Sequence, residues 1–253
     1  MKRRDGLAAA ASAAAAKLGG AFGAALAASQ ARAQAAQAPQ GTESGDGARR
    51  PAGTMKALGE ERYQIGRIVV DKRAGSFVVP GRVHKKNVPL EYLATAPRGM
   101  KEYESLFELD AIGTEFNLAC ILVGLDADPN LAWRELRMTR KVSGPRVTID
   151  VAWSEGDRRR RMSAAQALLN PEAGVAPAAV EWVYIGSPSS QAMGRFAADD
   201  TGTLVGFVSD ANCIIEAAVP IGIGAYGSVR GDAVLPAVGT PIEFFVAAAR
   251  PVK

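Results

Sequence analysis

Alternation of apolar and polar positions marks most of the chain after residue 60 as strand. Residues 64–70 and 75–83 carry β-branched side chains and flank Asp71-Lys72-Arg73-Ala74, which predicts a hairpin. Phe77 and Val79 face one way and Val78 the other, and Pro80 marks an edge or a bulge. Residues 90–95 form a further short strand. Residues 103–109 alternate sharply, with Tyr103, Ser105, Phe107 and Leu109 opposite Glu104, Leu106 and Glu108. A helix follows, with Thr114 as its expected N-cap. Phe116, Ala119, Cys120 and Val123 make its apolar stripe, and Gly124 ends it.

The second half repeats the strand pattern. Residues 146–153 alternate, and Glu155-Gly156-Asp157 turns the chain into residues 158–162. Ser163 is placed to cap a short helix through Leu169. Residues 180–185 are a strand. Residues 195–198 and 204–208 flank Asp199-Asp200-Thr201-Gly202, which predicts a hairpin with Gly202 at positive φ. Asp210-Ala211-Asn212 is placed to cap one helical turn containing Cys213, Ile214 and Ile215, and residues 242–248 close the series. Eight to ten strands with two or three short helices and few βαβ alternations predict a single α+β domain with mostly antiparallel sheets.

The first 58 residues follow another pattern. Lys2-Arg3-Arg4 precedes a weakly apolar, Ala-dominated stretch over residues 7–28, and Ala31-Arg32-Ala33 supplies a small-x-small cleavage signal. The expectation is an export signal over residues 1–33, of Sec or twin-arginine type, cleaved before Gln34. An Ala-rich tail or an organellar transit peptide is the alternative. Lys17 argues against a spanning helix there, because a lysine at the bilayer centre costs about 3 kcal/mol. No later apolar run reaches the roughly 18 residues of a transmembrane helix. Residues 34–58 are rich in Ala, Gln, Gly and Pro and read as a flexible linker, leaving 59–253 as the domain. The predicted location is periplasmic or secreted.

Several motifs in shared order resemble the YdjY-domain family of exported bacterial proteins. They are Gly99-Met100-Lys101-Glu102-Tyr103-Glu104-Ser105 leading into Ala119-Cys120-Ile121-Leu122-Val123-Gly124, then Trp182-Val183-Tyr184-Ile185-Gly186-Ser187, Asp200-Thr201-Gly202 and Leu235-Pro236-Ala237-Val238-Gly239-Thr240-Pro241. Where the family pattern has His before Glu-Ser, this chain has Tyr103. The resemblance implies an exported single domain without an established activity. Some members carry ferredoxin-like names, but two Cys and one His cannot hold such a cluster.

Charge changes the picture once it is divided along the chain. The +4 excess arises in residues 1–33, which hold five of 30 basic groups and one of 26 acids; residues 34–253 keep 25 of each. A balanced domain gives no nucleic-acid footprint. The same scarcity of His and Cys excludes a zinc site built from those residues alone. His84, the only histidine, lies in a polar segment and reads as a solvated loop residue, and no nucleophile elbow is present. Glu104 with Asp150 or Asp210 is the carboxylate pair a hydrolase would use. Asp126-Ala127-Asp128-Pro129-Asn130 reads as a turn, and Gly222-Ile223-Gly224-Ala225-Tyr226-Gly227 as a loop without the lysine of a phosphate site. Arg158-Arg159-Arg160-Arg161 reads as a cross-strand-paired edge. Cys120 and Cys213 are either buried thiols or a disulfide. Tyr103, Glu104, Ser105, Trp182 and Ser187 combine aromatic and small polar groups and form the candidate ligand groove. The expected function is an exported, soluble binding or interaction module for an unknown protein or small ligand, without cofactor or metal. An exported hydrolase and a structural envelope component are the alternatives.

Overall fold

The computed structural model describes residues 52–126, 141–169, 180–190, 195–221 and 229–249. The expected export signal and residues 34–51 of the linker lie outside the described residues, as do residues 127–130 and the 222–227 loop. In chain order the strands are β1 (Met55–Gly59), β2 (Arg62–Ile65), β3 (Ile68–Asp71), β4 (Ser76–Val83), β5 (Tyr92–Thr95), β6 (Ser105–Leu109), β7 (Arg146–Glu155) and β8 (Arg158–Ser163). There follow β9 (Leu168–Leu169), β10 (Trp182–Tyr184), β11 (Ser189–Ser190), β12 (Arg195–Phe196), β13 (Thr203–Gly206), β14 (Ile215–Ala217), β15 (Arg230–Gly231) and β16 (Pro241–Ala248). The helices are α1 (Gly113–Leu122) and α2 (Ala197–Thr201), with 3-10 turns at Glu102–Glu104 and Ala164–Ala167.

The expected α+β class with mostly antiparallel sheets and two or three short helices is wrong: the protein is mainly β, an eight-stranded closed barrel with extra strands. The ring runs β4-β16-β7-β10-β14-β13-β5-β6 and returns to β4 through the β4–β6 ladder. Most pairs are antiparallel, but β13–β14 and β5–β6 are parallel. Local alternation shows which face of a strand is apolar and says nothing about which strand pairs with which. Closure is therefore invisible in the sequence.

Two long strands make the closure possible. Along one side, β16 pairs with β4 and with β7 over most of its length. Along its other side, β4 pairs first with β3 at residues 76–78 and then with β6 at 81–83. Pro80 falls between those two partners, where its missing N–H breaks no ladder bond, and its carbonyl accepts from the Asp110 amide at 2.8 Å. Likewise β7 pairs with β10 at its start and with β8 further along. The β1–β2–β3 ribbon and β8 thus extend from the barrel wall.

The buried alternate residues of these strands, among them Phe77, Val79, Val151, Phe244 and Val246, fill the interior. The rings of Phe107 and Phe244 meet edge-on at 6.0 Å, as do those of Phe77 and Phe116 at 5.2 Å. Phe116 belongs to α1, whose predicted stripe is buried as expected. That helix packs on β3 and β13 and accepts at Asn117 Oδ1 a hydrogen bond from Tyr184 Oη of β10 at 2.8 Å. The helix thus packs against β10 and β13 of the ring and against β3 of the attached ribbon.

Three local expectations are corrected. Thr114 is not the N-cap of α1; Ile112 holds that position, and Glu115 Oε2 accepts from its amide. Residues 199–202 do not turn a hairpin. They complete α2, which Gly202 ends at φ 73°, with Ser187 Oγ accepting from the Ala198 amide at 3.0 Å. Cys213 and Ile214 precede β14 instead of forming a helical turn, because Ile214 donates its amide to Leu204 of the neighbouring strand. The first strand starts at Met55, inside the stretch read as linker.

Candidate functional site

The 3-10 turn before β6 gathers the polar chemistry. Its backbone is fixed by the Glu102 amide donating to Gly99, the Glu104 amide donating to Lys101, and the Met100 amide donating to Thr201. Gly99 and Gly202 approach so closely that a Cβ on Gly202 would sit 2.4 Å from Gly99 Cα. With three residues per turn, Glu102, Tyr103 and Glu104 point in three directions.

Tyr103 points to solvent and is 59% exposed. Lys101 Nζ lies 5.5 Å from its ring centroid and donates to its hydroxyl at 3.2 Å and to Glu104 Oε1 at 2.6 Å. That bond to Glu104 raises the lysine pKa. Behind Glu104, the Glu91 amide donates to the Glu104 carbonyl at 3.0 Å. Burial raises the Glu91 carboxyl pKa, and the neighbouring charges of Glu104 and Asp210 push the same way. Tyr92 Oη donates to Asp210 Oδ2 at 2.9 Å, and burial raises the phenol pKa. The Asp210 amide in turn donates to Glu216 Oε1 at 2.6 Å. Carboxylates thus outnumber the single ammonium, Lys101, in this row.

Glu102 points the other way, toward His84 and Glu108. His84 follows β4, and its amide donates to the Leu106 carbonyl at 2.8 Å, which fixes the residue beside β6. Its Nδ1 lies 3.8 Å from Glu108 Oε2, beyond hydrogen-bond range, and its Nε2 is buried without a partner among the described residues. One donor atom each from His84, Glu102 and Glu108 fall within 4.8 Å of one another. Arg82 Nη2 holds the other Glu108 oxygen, Oε1, at 2.8 Å. The reading of His84 as a solvated loop residue is therefore corrected: its side chain is 14% exposed, and burial lowers its pKa below the usual histidine value.

The five predicted groove residues do not share a groove. Tyr103 and Glu104 lie at the corner described above. Ser105 is buried, and its hydroxyl donates to the Phe107 carbonyl. Trp182 is in the core, and Ser187 caps α2. Of the two proposed acids, Asp210 joins the Glu91–Glu104 row, whereas Asp150 pairs with Arg161 on the β7–β8 ladder at 2.9 Å. The arginine run is cross-strand paired: Arg159 to Glu243, Arg160 to Glu155 and Arg161 to Asp150. Arg161 also stacks over Phe245, 4.2 Å from its centroid. Cys120 and Cys213 are both buried free thiols.

Sequence reading misses Glu91, Glu102 and Glu216. Glu102 does carry a signal, since it stands beside Tyr103 and Glu104 in a turn. Glu91 carries none, because only the pairing of its segment with the start of β6 brings it to Glu104. Glu216, six residues after Asp210, reaches that residue's amide only through the local fold of the chain between them. Among the described residues no helix is long and apolar enough to cross a membrane. A family model, the YdjY domain, matches residues 68–247. No curated protein and no solved structure matches the chain.

Proposed function

The chain belongs to the YdjY-domain family, and we propose that it is an exported, soluble binding or interaction module whose ligand surface is the Tyr103 corner. The observation that carries this reading is the arrangement of Lys101 and Tyr103 at the surface over Glu104 and Glu91. The excess of carboxylate suits a ligand that brings positive charge, and the Tyr103 ring already faces an ammonium. A primary amine or a basic peptide segment can replace Lys101 there. Export is supported by the basic, apolar and small-x-small pattern of residues 1–33.

Titration with spermidine and with an oligolysine peptide at low salt tests the surface. Binding at least tenfold weaker in both Tyr103→Ala and Glu104→Gln is expected; equal binding in both variants overturns the reading. Fractionation with mass spectrometry tests export. A soluble periplasmic or secreted chain beginning at Gln34 is expected, and an intact Met1 end on cytoplasmic protein refutes it.

One observation favours an exported carboxylate hydrolase as the second reading. Glu91 has a raised pKa beside Glu104, which Lys101 holds, and acid–base pairs are built from such unlike carboxyls. Hydrolysis of glycoside or ester substrates, lost in Glu91→Gln and in Glu104→Gln, would select that reading over the binding module.

A further inference from the structure

We propose that His84, Glu102 and Glu108 bind one divalent first-row transition-metal ion, a site separate from the Tyr103 surface and independent of the reading given to it. The three residues come from the end of β4, the 3-10 turn and β6, so no single segment of sequence carries the pattern. Two are fixed by strand geometry: His84 by its amide bond to Leu106, and Glu108 by the β4–β6 ladder, where it faces Arg82.

The donor set has one imidazole nitrogen and two carboxylate oxygens. Nitrogen with oxygen suits zinc, cobalt, nickel or manganese, whereas calcium and magnesium favour oxygen alone. Bonds of about 2.0–2.2 Å to a shared ion put two donors about 3–4 Å apart. The 3.8 Å between His84 Nδ1 and Glu108 Oε2 is already in that range, and the full set lies within 4.8 Å. Rotation of the half-buried Glu102 on its turn closes the remainder. Fewer protein ligands than zinc's usual four leave a coordination position for water or for a ligand atom.

Among the described residues neither nitrogen of the His84 ring is hydrogen-bonded, so no protein group competes with an ion for Nδ1, the nitrogen 3.8 Å from Glu108 Oε2. Arg82, on the far oxygen of Glu108, orients the carboxylate from behind, as outer partners of metal ligands do.

The test uses the untagged full chain after chelator treatment, titrated with Zn2+ by calorimetry and with Co2+ by visible absorption. One equivalent per chain is expected, undiminished by excess Mg2+ or Ca2+. His84→Asn should abolish the Co2+ bands, and Glu102→Gln should weaken Zn2+ at least tenfold. Absence of one-to-one binding in the unaltered chain overturns the proposal, as does unchanged affinity in the variants. Glu102 lies on a surface turn, so Glu102→Gln decides the matter even if His84→Asn does not fold.

Discussion

The Glu216 carboxyl accepts the backbone amide of Asp210 at 2.6 Å through one oxygen and buries the other without a partner among the described residues. Desolvation moves its pKa from 4.5 up to about 8. A raised folded-state pKa means that the folded protein holds this proton more tightly than the unfolded chain. The associated stability is complete below pH 4.5 and is lost as pH rises through about 8. Over that window the loss is on the order of 5 kcal/mol. Urea denaturation at pH 5, 7 and 9 should show Glu216→Gln gaining stability relative to the unaltered chain as pH rises. A constant difference across the three pH values would refute the assignment.

Barrel closure depends on Gly81. A Cβ there would sit 2.5 Å from the Glu108 carbonyl oxygen and 2.8 Å from Leu109 Cδ2, so β4 and β6 could not keep their present spacing. Gly81→Ala should cost about 2–4 kcal/mol, read as a lower urea midpoint. An unchanged midpoint would mean that β6 can move outward freely.

The amino end of α1 is capped from outside its own segment. Asp199 Oδ1 accepts from the Thr114 amide at 2.8 Å, and its Oδ2 accepts from the Thr114 hydroxyl. Removal of such a cap costs about 1 kcal/mol. Asp199→Ala should therefore lower stability by about that amount, with Asp199→Asn intermediate, both measured by chemical denaturation.

The two cysteines are buried, and burial raises both thiol pKa values. A thiol reagent such as Ellman's should react with neither in the native protein and with both in guanidinium. Immediate reaction of the native chain would contradict their placement, and silence in denaturant would reveal a disulfide.

What the sequence makes legible follows from range. The apolar faces of β4, β6 and β7 and the stripe of α1 are periodic over a few residues, and the folded protein buries each of them. Ser163 as a cap is readable for the same reason, since Gln166 answers it three residues later. By contrast, the partners of a strand lie far away: β4 meets β16 more than 150 residues on, and nothing near either strand marks the match. Asp199-Asp200-Thr201-Gly202 has turn chemistry that serves a hairpin or a helix end equally, and contact with α1 decides for the helix. His84 looks solvated in sequence because its neighbours there, Lys85-Lys86-Asn87, are polar; folding Glu102 and Glu108 against it makes the surroundings half-buried.

The position of β16 constrains how the molecule comes into being. This strand is last in sequence among the described residues, yet it separates β4 from β7 in the wall. During synthesis the earlier strands have no ring to join until residues 241–248 have left the ribosome and found β4 and β7. Such distant pairing slows folding, because a long loop must be closed before its contacts are gained. Until β16 arrives, the earlier strands keep unpaired edges and uncovered apolar faces, the surfaces that chaperones shield.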